Sequence, residues 1–174
     1  MFADPDKNLS QLGLVEGMKV ADLGAGTGYY SIIAGRRVGA SGHVYAIEVQ
    51  KDLLDRLKSD ATTAQIRNVE VIWGVIDVIG GTKLREALVD RAILANTLFQ
   101  IEQKDRDNLA LEIKRILKAG GKLLVVDWQP GSPLSPKNCI PRTIAENLFN
   151  KSGFTLEKAL DAGDHHYGLV FFRN

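Results

Sequence analysis

The sequence predicts an α/β fold built on a mostly parallel sheet, and three observations carry that reading. Short apolar runs rich in β-branched residues alternate with amphipathic segments, the order that strand–helix–strand units with right-handed crossovers produce. The runs are nearly continuous in apolar residues, as in sheets covered on both faces. A glycine-rich stretch directly follows the first run, where an open α/β sheet places its ligand crevice.

Along the chain, Lys19-Val20-Ala21-Asp22-Leu23 is the first strand and His43-Val44-Tyr45-Ala46-Ile47-Glu48 the second. Leu53, Leu54 and Leu57 then fall at helical spacing. Val69-Glu70-Val71-Ile72-Trp73 is a third strand, residues 89–96 a fourth and residues 122–127 a fifth. Trp73 reads as core, and of Tyr29 and Tyr30 one should face the core. Between the last two strands, Leu109, Ile113, Ile116 and Leu117 make one apolar helical face, with Glu112 and Lys114 opposite it. Ala119-Gly120-Gly121 reads as the end of that helix, since glycine takes the left-handed conformation that closes helices. Residues 128–141 hold four prolines and read as a long loop. A helix over 142–151 and strands at 154–156 and 167–172 follow. The turn Asp161-Ala162-Gly163-Asp164 makes the last strand antiparallel.

A chain of 174 residues is expected to be one domain, residues 1–174, able to bury a core without staples. Its net charge of +1 gives the whole molecule no electrostatic footprint for nucleic acid. Cys139 is the single cysteine, which excludes an internal disulfide or cysteine zinc cluster and fits a reducing, cytoplasmic setting. Met1-Phe2-Ala3-Asp4-Pro5-Asp6-Lys7 lacks the basic start and apolar run of a secretory signal, and no apolar stretch reaches bilayer-crossing length.

The loop Asp22-Leu23-Gly24-Ala25-Gly26-Thr27-Gly28 lets the backbone turn sharply and a ligand lie against it. Its G-x-G-x-G spacing differs from the G-x-G-x-x-G of dinucleotide-binding loops, whose third glycine position is here Tyr29. Glu48 closes the second strand, where a carboxylate can accept two hydrogen bonds from a ribose diol. Together they point to an adenosine-like ligand.

These residues resemble the class I S-adenosylmethionine-dependent methyltransferase family, of the small, single-domain, type 11-like kind. Four blocks carry the resemblance, which runs from about Val15 to Asn174: residues 20–28, residues 44–48, Val89-Asp90-Arg91-Ala92-Ile93-Leu94-Ala95-Asn96, and the helix–glycine–strand block at residues 115–125. The family usually has proline where Ala119 stands. The resemblance implies a Rossmann-like sheet of seven strands, mostly parallel with an antiparallel last strand and helices on both faces. It also implies S-adenosyl-L-methionine as cofactor. Gly24, Ala25, Gly26 and Gly28 would pass under its methionine part, with Asp22 helping to place the ammonium. Glu48, with Val49 beside it, would hold the ribose, the backbone near Ile76 the adenine, and Asn96 would lie next to the sulfonium. Family members commonly carry an acid after the glycine that ends the third strand. Here Val75 takes that place in Trp73-Gly74-Val75-Ile76-Asp77, so either Asp77 substitutes or one hydrogen bond is missing.

Methyl transfer from a sulfonium is an in-line displacement on an activated carbon and needs no obligatory base. The sequence shows no metal-ligand constellation: His165-His166 lacks the spacing of a helical zinc motif. Asn96-Thr97-Leu98-Phe99 lacks the two prolines of the exocyclic-amine signature. The acceptor is therefore unidentified, a small molecule being favoured over nucleic acid, with no membrane partner. Candidates at its rim are Trp128, just past the fifth strand, and His165, His166 and Tyr167, at the start of the last. A nicotinamide-dependent oxidoreductase and a non-catalytic S-adenosylmethionine-binding module are the competing readings.

Overall fold

A computed structural model describes residues 4–174; Met1 to Ala3, part of the amino-terminal segment read above, lie outside the described residues. Strands β1 (Lys19–Leu23), β2 (His43–Glu48), β3 (Val69–Trp73), β4 (Val89–Ala95), β5 (Leu117–Trp128), β6 (Phe154–Asp161) and β7 (His166–Arg173) form one sheet in the order β3-β2-β1-β4-β5-β7-β6. The first five pair in parallel, and β7 runs antiparallel between β5 and β6. The seven-stranded, mostly parallel sheet with an antiparallel last strand is thus present as expected.

Helices α1 (Pro5–Ser10), α2 (Tyr29–Val38), α3 (Lys51–Thr63), α4 (Arg106–Ile116) and α5 (Arg142–Lys151) cover it. Leu9 of α1 and Tyr30, Ala34 and Val38 of α2 pack with Val20, Val44, Ile93 and Leu124 on one face. Leu109, Ile113 and Ile116 of α4 and Ala145, Leu148 and Phe149 of α5 pack with Ala21, Ala92, Leu123 and Phe171 on the other. Alternate residues of each central strand therefore serve opposite cores, which is why those strands read as unbroken apolar runs. Tyr30 is the tyrosine that turns inward; Tyr29 is exposed.

Three local expectations are corrected. The helix before β5 ends at Ile116, not at Gly120, because Leu117 is already extended, fully buried and paired with Val89. Residues 118–121 form an excursion before pairing resumes at Arg91↔Lys122, and Gly120 turns it at φ +71°. Trp73 lies on edge strand β3 and is 47% exposed rather than core. Its indole N–H donates to the Val49 carbonyl, and Lys83 Nζ sits 4.6 Å above the ring. Glu112 is wholly buried rather than facing solvent. Its carboxylate accepts from the Gly80 N–H at 2.8 Å, the Thr82 N–H at 3.3 Å, the Thr82 hydroxyl and the Arg115 guanidinium at 2.8 Å. Arg115 also donates to the Leu84 carbonyl. This cluster ties the helix-free connection between β3 and β4, residues 74–88, to α4.

Candidate active site

The strand order reverses between β1 and β4, and beyond the carboxyl ends of β3, β2, β1 and β4 lies a cavity of about 740 Å³. A crevice at a topological switch point is where this architecture binds ligands. Each strand end contributes: residues 24–27 after β1, residues 48–50 at the end of β2, residues 74–77 after β3 and residues 95–97 at the end of β4. Pro5, Tyr29, Tyr30, Ile47, Leu53, Gln100 and Ile101 complete the wall.

The glycine loop is held by the Gly24 and Ala25 N–H groups, both donating to the Ile47 carbonyl at 2.9 Å. A Cβ at Gly24 would stand 2.6 Å from the Thr97 side chain, so that glycine permits close packing of β1 on β4. Gly26 has φ +55° and a Cβ there would meet nothing within 4 Å, because the position opens into the cavity. Gly28 does not line the cavity. At φ +85° its Cβ would collide with Leu57 Cγ at 2.5 Å, so it serves the docking of α3 on the start of α2.

Glu48 is 6% exposed. One carboxylate oxygen accepts from the Gly26 N–H at 3.0 Å, and the other from the Val49 and Gln50 N–H groups at 2.8 and 2.9 Å. A carboxylate offers about four acceptor positions, so it can clamp the loop and still receive another donor. Val75, Ile76 and Asp77 line the adjoining wall, where the Val75 N–H donates to the Gly81 carbonyl. Asn96 lines the β4 end in a left-handed backbone at φ +53°, which asparagine tolerates better than most residues. Its Oδ1 is enclosed and accepts no hydrogen bond, while its carbonyl accepts from Gln100 Nε2 at 2.9 Å.

Asp22 lies beneath the loop, not on the cavity surface. It accepts from the Ser31 hydroxyl at 2.6 Å, and burial pushes its carboxyl up to about 6. The remaining candidates stand two strands from β1, for Trp128 on β5, and three, for the residues at the start of β7. Trp128 and His166 stack with ring centroids 4.2 Å apart, and His166 is 7% exposed with both ring nitrogens enclosed and unpartnered. Burial holds its imidazole below the ordinary histidine range. Tyr167 points to the opposite face with its hydroxyl buried, and burial raises its phenol. His165 precedes β7 and meets Ser132 through Nδ1. None of the four lines the cavity, because it is centred on β1 and β4 whereas the β6–β7 hairpin lies beyond β5.

Asp127, which sequence patterning passes over, is fully buried at the end of β5. It accepts from the Trp128 N–H at 2.7 Å and the Phe99 N–H at 3.0 Å, fixing the 3-10 turn Leu98–Gln100 beside the cavity. Burial raises its carboxyl to about 6. Asp22 and Asp127 therefore hold protons more tightly folded than unfolded. Their stabilising contribution is fully present below pH ~3.9 and is lost as the pH rises through about 6. Urea titrations from pH 4 to 7 should show stability falling, by ~3 kcal/mol per group at most. Asp127→Asn should remove its share of the slope; an unchanged slope would refute the assignment.

Among the described residues no cluster of His, Cys, Asp or Glu could hold a metal ion, and no helix is long and apolar enough to cross a membrane.

A family profile described as Methyltransferase domain matches residues 14–162. The chain belongs to this family. The methyltransferase domain is 32% identical over 114 residues to a protein-L-isoaspartate O-methyltransferase of Methanothrix thermoacetophila, covering 66% of this chain and 49% of that protein. It is 30% identical over 117 residues to a probable cobalt-precorrin-6B C(15)-methyltransferase (decarboxylating) of Sulfurisphaera tokodaii, covering 67% and 57%. The match thus spans about half the length of these relatives. A solved SAM-dependent methyltransferase from Aquifex aeolicus superposes with a TM-score of 0.88 at 26% identity, over 99% of this chain and 91% of that one.

S-adenosylmethionine is the cofactor of the family, and the residues present fit it. Gly26 leaves an open cradle that a Cβ would intrude upon, and the Asn96 amide retains unused hydrogen-bonding capacity. The paired acids fit as well, since Glu48 and Asp77 both line the cavity.

Proposed function

We propose that the chain binds S-adenosylmethionine in this cavity and transfers its methyl group to a small-molecule acceptor. The observation that carries the reading is the convergence of the Gly26 cradle, the buried Glu48 carboxylate and the strained Asn96 on one crevice at the β1–β4 switch. The bound cofactor supplies a methyl group on a positively charged sulfur, an electrophile that needs no further activation. Gly24, Ala25 and Gly26 bear the methionine part, and Asp22 adds negative charge beneath it for the ammonium. Glu48 accepts from the ribose diol. Asp77 accepts from the adenine amino group, since Val75 has no acceptor in its side chain. Asn96 would lie beside the sulfonium and, with Thr97 and Gln100 lining the same end of the cavity, would help set the line of approach that an in-line displacement requires.

The acceptor reading rests on the size of the cavity, which suits a small molecule. The lone Cys139 and the apolar patterning support a single domain, residues 1–174, working in the cytoplasm.

S-adenosylhomocysteine at about a hundred times its dissociation constant should stabilise the fold by ~2.7 kcal/mol, a rise in Tm of roughly 5–10 °C. NAD should give no shift. A shift with NAD alone would favour the oxidoreductase reading, and S-adenosylhomocysteine binding without turnover of any acceptor would favour a binding module.

A further inference from the structure

The cavity wall formed by residues 74–77 belongs to a connection without a helix, so its backbone must be held in another way. At the near end the Gly74 N–H donates to the Glu48 carbonyl at 3.2 Å. The far end is held through Gly81. The Val75 N–H donates to the Gly81 carbonyl at 3.0 Å, and the Gly81 N–H donates to the Val78 carbonyl at 2.9 Å. Packing is so close that a Cβ at Gly81 would stand 2.2 Å from the Val75 carbonyl oxygen and 2.9 Å from that of Val78. A displacement of Gly81 therefore carries the wall with it.

Both neighbours of Gly81 are fastened to the same side chain. The Gly80 N–H donates to one Glu112 oxygen at 2.8 Å and the Thr82 N–H to the other at 3.3 Å, where the Thr82 hydroxyl also donates. The Arg115 guanidinium sends one N–H to each oxygen, both at 2.8 Å. These five donors occupy all of the roughly four acceptor positions of a carboxylate, so Glu112 has none to offer a ligand. It is fully buried and does not line the cavity. Burial alone would raise its carboxyl, but the hydrogen bonds from Arg115, Thr82 and Gly80 hold it below the ordinary range, and the group is ionised. A buried ion pair adds little stability over apolar residues of the same volume. Here it locates two backbone N–H groups on either side of Gly81.

We propose that Glu112 is the positioning residue that sets the base selectivity of the cavity, by bracketing Gly81 and so fixing the wall that carries Asp77. The inference rests on the methyl-transfer reading, in which Asp77 accepts from the adenine amino group, and deepens it.

The selectivity follows from hydrogen-bond geometry. Adenine presents a donor at its 6-position and an acceptor at N1, whereas hypoxanthine presents an acceptor at the 6-position and a donor at N1. A carboxylate held opposite the 6-position receives the amino group and repels the carbonyl. Useful donor–acceptor distances span only about half an ångström, so a wall fixed to that tolerance distinguishes the two bases. A wall free to slide can instead seat the carboxylate on the N1–H of hypoxanthine, and the distinction is lost. Glu112 supplies that fixity from outside the cavity.

The test measures dissociation constants of S-adenosylhomocysteine and S-inosylhomocysteine, which differ only in the base, by calorimetry on the full chain. The parent should prefer S-adenosylhomocysteine by at least about tenfold, the worth of one hydrogen bond to a charged group. In Glu112→Gln that preference should narrow to within roughly threefold, because an amide cannot receive all the donors that meet there. Thr82→Val keeps the shape and removes one donor, and should narrow the ratio in the same direction by a smaller factor. Phe149→Leu, a core change in α5 on the same side of the sheet, should lower the melting temperature and leave the ratio at the parent value. A parent ratio retained in both clamp variants, or in Thr82→Val should Glu112→Gln not fold, would overturn the inference. So would a ratio that falls equally in Phe149→Leu, or a parent that binds both ligands alike. Each of those results leaves the methyl-transfer reading standing; a parent that binds neither ligand would overturn that reading too.

Discussion

Gly26→Val should abolish the thermal shift produced by S-adenosylhomocysteine. The new side chain would stand in the open space beside the loop, because nothing within 4 Å of a Cβ at this position belongs to the protein. Over-packing a fitted site costs ~1–3 kcal/mol, so affinity should fall by roughly 5- to 150-fold. Valine also strains the backbone at φ +55°, so the ligand-free variant should melt earlier than the parent. Calorimetry on the folded variant separates the two effects. Retained affinity would show that the cofactor does not pass over Gly26.

The second large effect belongs to Glu48→Ala, which removes two functions at once. Charge-assisted bonds to the ribose diol are worth roughly 1.5–3 kcal/mol, a loss of about 10- to 150-fold in S-adenosylhomocysteine affinity. The Gly26, Val49 and Gln50 N–H groups also lose their acceptor, so the ligand-free protein should melt several degrees lower. A lowered melting point with unchanged affinity would make Glu48 a loop clamp only.

How much of this was legible in the sequence depended on whether the deciding interaction is local. The loop after β1, Glu48 at the end of β2 and the helix Arg142–Lys151 were readable because backbone turns, strand ends and apolar spacing are properties of short segments. Gly28 was legible as a glycine but not for its reason, since Leu57 reaches it from a different helix. Glu112 defeated periodicity because a carboxylate counts as a solvent-facing residue until donors from residues 80–82 surround it. Trp73 was misplaced because only strand order reveals β3 as an edge. The histidines were placed at the correct sheet end, yet the cavity lies on the other side of β5 from their hairpin. Pro5, Gln100 and Ile101 follow no motif, and only the packing of α1 and of the turn after β4 brings them to the cavity.

The helix-free connection between β3 and β4 has a wider consequence. Residues 74–77 form one wall of the cavity, and residues 80–84 of the same segment are fastened to α4 through Glu112 and Arg115. A ligand that orders this wall must then reinforce the docking of α4 by the same free energy with which α4 reinforces the ligand, since such coupling is reciprocal. Drift in the outer layer of the fold, at positions that never touch a substrate, can thereby retune how tightly the cofactor is held.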